Sequence, residues 1–179
     1  GKTFICIFFC LVSSLGLMSD IYTAGYGYSK KLCKDATAWF LKEFFPKHKI
    51  TVTVLHRGLK SEKALGYCDV HYEMEDYMHR PRNFIIEIDT NLDKETYLTT
   101  LFHELTHMAQ WIRGDLRQRY GKLCYSKEPV EKWDYMDQPH EIEARKEETR
   151  LLEKYMKADD GMPVETVATI WDNRLRSRV

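Results

Sequence analysis

The 179 residues carry 27 Lys and Arg against 27 Asp and Glu, a formal net charge of zero, and 44% of them are hydrophobic. That length and apolar content suffice for one domain with a real core, and nothing in the balanced charge suggests the basic footprint of a nucleic-acid binder or a cationic membrane-surface patch. No Walker loop, Gly-rich dinucleotide fingerprint or Cys-x-x-Cys pair occurs, which sets aside nucleotide cradles and thiol redox motifs.

The chain opens with Lys2 and an apolar run from Phe4 to Leu17. The expected division is an apolar segment over 1–17 and one domain over 18–179. The segment has two readings. As a targeting signal it would make the protein secreted or membrane-targeted, but Tyr22-Thr23-Ala24 puts a bulky residue where cleavage wants a small one. As an upstream extension it has no role in the fold, and Met18-Ser19-Asp20 then reads as an ordinary start. The run is short for a membrane span, and Ser13, Ser14 and Gly16 weaken it further. Beyond it lie Cys33, Cys68 and Cys124, an odd number that fits reduced thiols better than a disulfide framework and tilts the location toward the cytoplasm.

Leu32, Ala36, Trp39, Phe40 and Phe44 recur at helical spacing and Pro46 stops them, which predicts a helix over 29–45. The β-branched alternation over 50–55 predicts a strand. A second strand is expected over 66–72, whose mixed polarity suits a sheet edge, and a third over 83–88. An edge strand beside a hydrolytic site can pair with an extended peptide. His48, His56, His71 and His79 are scattered through this half and read as surface or strand histidines rather than ligands.

The stretch 92–112 reads as one amphipathic helix. Asp93 and Thr96 supply polar groups at its start and Gly114 lies just past its end. Leu98, Leu101, Phe102, Leu105, Ala109 and Ile112 form the apolar stripe, and Thr96, Thr100, His103, His107 and Gln110 fall opposite it. His103 and His107, four residues apart, stand one above the other, a spacing at which two imidazoles reach one tetrahedral metal. Glu104 lies next to them round the helix, placed to reach a water without ligating. This is the His-Glu-x-x-His arrangement of two zinc ligands and a general base.

A polar, aromatic-rich stretch follows over 113–138, expected to cross the mouth of a cleft, with Tyr120, Tyr125 and Tyr135 as candidate oxyanion donors. Pro139 then opens a helix expected to run to about 157, and a last short helix is expected over 164–175. A catalytic zinc needs a third protein ligand. Glu141 shares the inward stripe of Ala144, Glu148, Leu151, Leu152 and Tyr155, whereas Glu143 falls with Glu147, Arg150 and Lys154 on what reads as a solvated charged face. Glu141 is the choice, with His140 the rival if the helix starts one residue later, and Glu148 is placed to hydrogen-bond a ligating group.

His103-Glu104-Leu105-Thr106-His107 followed by Pro139-His140-Glu141-Ile142-Glu143-Ala144 resembles the small zincin-type metallopeptidases of phage and bacterial genomes, in particular the SprT-like and ImmA/IrrE-like groups. The ImmA/IrrE-like pattern, with a Glu three residues before an Ala, implies Glu141 as third ligand, and the SprT-like pattern implies His140. The resemblance implies an α+β minimal zincin-like fold: N-terminal helix, three-stranded sheet, His-Glu-x-x-His helix and a second ligand-bearing helix. It also implies a zinc-dependent metallopeptidase acting on a peptide or protein, with His103, His107 and Glu141 on the Zn2+ and Glu104 as base. The alternative is an interaction protein that keeps the core around a structural zinc, against which the intact Glu104 argues.

Overall fold

In the computed structural model, which describes residues 18–71 and 80–160, a sheet carries two stacked layers of helix. The segment 1–17, His79 and the helix expected over 164–175 lie outside the described residues. The sheet comprises β1 (Asp20–Gly25), β2 (Thr51–His56), β3 (Gly66–Val70) and β4 (Asn83–Ile88) in the order β1-β2-β4-β3. The first three spatial neighbours run parallel and β3 lies antiparallel on the edge.

The strand period places Val52, Val54, Phe84, Ile86 and Ile88 on one buried face, and Thr51, Thr53, Ile85 and Glu87 on the half-exposed other. The helices α1 (Lys30–Phe44), α2 (Lys94–Arg113) and α3 (Pro139–Asp160) supply the remaining core. Trp39 of α1 ties the three together, its ring centroid 5.7 Å from that of Phe102 on α2 and 5.4 Å from that of Tyr155 on α3. The arrangement is α+β and matches a minimal zincin-like layout, with α2 and α3 flanking the sheet.

The expected three-stranded sheet has a fourth member. Strand β1 was not expected because residues 18–24 carry little apolar alternation. As an edge strand, β1 buries only one side and leaves Tyr22 exposed. His56 helps hold it. This buried imidazole donates from Nδ1 to Ala24 O (3.1 Å) and accepts at Nε2 from the Tyr97 hydroxyl (2.7 Å), and burial keeps its pKa low.

A second correction concerns 113–138. No strands were expected there, but two short hairpins, β5 (Leu116–Arg119), β6 (Lys122–Tyr125) and β7 (Glu128–Pro129), occupy most of it and short 3-10 turns follow. Leu116 and Leu123 from this small sheet face the cleft.

Helix α2 is capped as its sequence predicts: Asp93 accepts from the Thr96 amide at 2.8 Å, and Gly114 takes the left-handed conformation at φ 83°. Asp93→Ala is expected to cost about 1 kcal/mol of stability, read as a lower urea midpoint with unchanged slope. What the period did not show is that both sides of α2 are covered. From Tyr97 to Ile112 only Thr99 and His103 escape full burial, because α3 lies along the polar side. No helix among the described residues is long and apolar enough to cross a membrane.

Candidate metal centre

Helix period puts His103 and His107 on the side of α2 that meets α3, and the first turn of α3 brings Glu141 against them. His103 Nε2 lies 3.1 Å from His107 Nε2 and 3.2 Å from Glu141 Oε2, and His107 Nε2 lies 3.3 Å from Glu141 Oε1. Bonds of about 2.0–2.1 Å in a tetrahedron set neighbouring ligand atoms about 3.3 Å apart. The two imidazole nitrogens stand at about that separation, each with one Glu141 oxygen at a similar distance, and among the described residues this is the one such group able to hold a metal ion. His103-Glu104-x-x-His107 with the distal Glu141 forms the metal-binding triad typical of zincin metallopeptidases.

The outer partners suit a metal as well. His103 Nδ1 meets Glu148 Oε2 at 2.6 Å, and His107 Nδ1 meets Gln110 Oε1 at 2.9 Å, so both Nε2 atoms are the ones aimed inward. Glu141 Oε2 is buried and receives no aligned hydrogen bond. A buried carboxylate oxygen without a donor is costly unless a cation meets it. Burial by itself would lower the His103 pKa, yet Glu141 and Glu148 together lift it to about 10. Glu141 is itself held well below its usual range: burial opposes its charge, and the two imidazoles overcome that. A dication between the two imidazoles would answer the demand for positive charge that the Glu141 carboxylate sets up.

Glu104 points into the same cleft and is not a member of the triad. Burial raises its pKa and the two imidazoles moderate the rise, leaving it at about 7. The edge strand comes very close here. A Cβ on Gly66 would stand 2.9 Å from both Glu104 Oε1 and Thr100 Cγ2, so only glycine lets β3 lie against the base without displacing it. The cleft, about 910 Å³, runs between the β3 rim at Leu65–Asp69, the length of α2, the hairpin residues Leu116 and Leu123, and the start of α3.

His140, the rival ligand, is buried with its ring centroid 5.5 Å from that of His107. Its Nε2 is 3.7 Å from Glu141 Oε1 and falls outside the group of three. Burial and the neighbouring His107 hold its pKa down at about 4.

Of the three tyrosines, Tyr120 is fully exposed on a hairpin turn and the Tyr125 hydroxyl is bound to Glu143 at 3.0 Å. Tyr135 lines the cleft, its pKa pushed up to about 12 by partial burial and by the Glu141 charge beside it.

Glu143 corrects the expected solvated face. Its carboxylate accepts from Gln110 Nε2 (2.8 Å), Arg113 Nη2 (2.7 Å) and the Tyr125 hydroxyl. Further along that side of α3, Glu147 pairs with Arg150. The error arose because helical phase reports which way a residue points. It does not report that the hairpin following α2 folds back over that side. Compared with family models, with curated proteins and with solved structures, the chain matches none.

Proposed function

We propose that this protein is a zinc-dependent metallopeptidase with His103, His107 and Glu141 as ligands and Glu104 as general base. The observation that carries it is the convergence of two imidazole nitrogens 3.1 Å apart with the Glu141 carboxylate, whose two oxygens each approach one of them and one of which is buried without a hydrogen bond, with Glu104 beside them. Zinc held there would polarise a peptide carbonyl and lower the pKa of a water toward neutrality. Glu104, in the same cleft and outside the ligand set, is placed to take a proton from that water and pass it to the leaving amine. Tyr135 supplies a hydroxyl on the open side of the cleft for the developing oxyanion.

The edge strand supports an extended polypeptide as substrate. Leu65 O accepts from the Asp89 amide, and the His71 amide donates to Asn83 O, so by antiparallel alternation Tyr67 and Asp69 bond inward to β4. Gly66 and Cys68 turn their amides and carbonyls to the open edge beside Glu104, ready to accept a strand. The Asp69 carboxylate takes the Val70 amide at 2.8 Å and closes that ladder one residue further on. Three free thiols, Cys33, Cys68 and Cys124, fit a reducing compartment such as the cytoplasm.

Protein purified without chelator is expected to carry about one zinc per chain, or to take it up when offered, and to cleave an unfolded protein. Metal analysis and a cleavage assay with and without chelator test this together. No zinc uptake at all refutes the site. Zinc without cleavage of any unfolded substrate moves the reading to a structural metal in an interaction protein.

A further inference from the structure

The hydrogen bonds behind His107 extend beyond its immediate partner. The Gln110 side chain is fully buried, and a primary amide there has two nearly isosteric orientations. Its two near acceptors decide between them. His140 O lies 3.0 Å and Glu143 Oε2 2.8 Å from the same Gln110 atom, and both groups only accept, so that atom must be the NH2 nitrogen. Oε1 is then left facing His107 Nδ1 at 2.9 Å, where it requires a proton on that nitrogen. With Nδ1 protonated, neutral His107 has its lone pair on Nε2, toward His103 and Glu141.

Glu143 is held in turn. One oxygen accepts from Arg113 at the end of α2, and the other also accepts from Tyr125 on β6. Its three donors come from two separate elements, so the carboxylate cannot rotate away without breaking an ion pair or a hydroxyl bond.

Resting on the zinc reading above, we propose that Glu143 is a positioning residue. Together with His140 O it fixes the Gln110 amide and so helps hold His107 in the Nδ1–H tautomer that a metal requires, and it links the hairpin to that lock through Tyr125. Glu143→Gln keeps an oxygen for Gln110, whereas Glu143→Ala removes the acceptor. Losing an outer partner of a metal ligand typically costs about 10–100-fold in affinity.

The test uses the full chain with zinc affinity measured by chelator competition, alongside imidazole 1H–15N correlation spectra of the metal-free protein. Glu143→Ala leaves the Gln110 amide held by His140 O alone and should weaken zinc about tenfold, the low end of such losses, with a minor Nε2–H tautomer of His107 emerging, and Glu143→Gln should restore both. Gln110→Ala should weaken zinc at least as much, and the double variant no further, since the two substitutions break one chain of bonds. A single Nδ1–H tautomer and unchanged affinity in Glu143→Ala overturn the proposal, as do losses that multiply in the double variant. Should Glu143→Ala not yield folded protein, Glu143→Leu fills the same volume without an acceptor and carries the same comparison. If the wild type binds no zinc, the metal reading fails, and the tautomer spectra still decide whether Glu143 sets the state of His107.

Discussion

Glu104→Gln is expected to keep zinc at about one per chain while hydrolysis of an unfolded protein falls by about 10²–10⁴-fold. Gln has the same shape, so the contact with Gly66 on β3 and the packing of α2 survive. What it lacks is a site for the proton. Glu104 is suited to that step because burial raises its pKa to about 7, which makes it a stronger base than an ordinary carboxylate. Zinc content and steady-state hydrolysis on the same preparation separate the two roles. Undiminished hydrolysis would show that another group takes the proton. Loss of the metal as well would show that Glu104 helps hold it.

The parts of the site that were legible in the sequence lie on two long helices. A 20-residue helix with one apolar stripe fixes the phase of every side chain on it, so His103, Glu104 and His107 could be placed relative to each other before any tertiary contact was known. Glu141 and Glu148 followed from the stripe Ala144, Leu151, Leu152 and Tyr155 in the same way, and Glu148 does meet His103. The hairpins were hidden by their turns. Tyr120-Gly121 and Ser126-Lys127 each link paired strands as two-residue loops with both residues at positive φ. Such turns are usually announced by Asn-Gly or Asp-Gly; here three of the four positions hold Tyr, Ser and Lys, which give no such signal. Without the hairpins Tyr125 could be named only as a candidate oxyanion donor, and its bond to Glu143, part of the reason Glu143 is held, could not be foreseen. Strand β1 escaped for a different cause: an edge strand can form from main-chain pairing with β2 while showing almost no alternation of its own.

Glu141→Gln should weaken zinc binding by on the order of 100-fold or more, since removing only an outer partner of a ligand costs about 10–100-fold. The amide keeps an oxygen near His103 and His107 but loses the charge, and a neutral oxygen is a poorer ligand for a dication. Its NH2 group would take the place of an oxygen that now faces one of the two Nε2 atoms. The two neighbours serve as controls. Glu143→Gln should bind zinc nearly as wild type, because its remaining oxygen still accepts from Gln110. His140→Ala should also retain the metal, since the His140 Nε2 stands outside the group of three. Chelator competition on all three variants gives a clear ordering. If His140→Ala strips the zinc while Glu141→Gln keeps it, the third ligand is the histidine, and the first turn of α3 must rotate by about one residue when the metal binds. If Glu143→Gln alone is severe, its pairing with Arg113 matters more to the site than the acceptor it offers Gln110. The expected order, Glu141 far above both neighbours, follows from one feature of α3: among the residues of its first turn, only Glu141 shares the buried stripe of Ala144 and Leu151 while its carboxylate reaches both histidines.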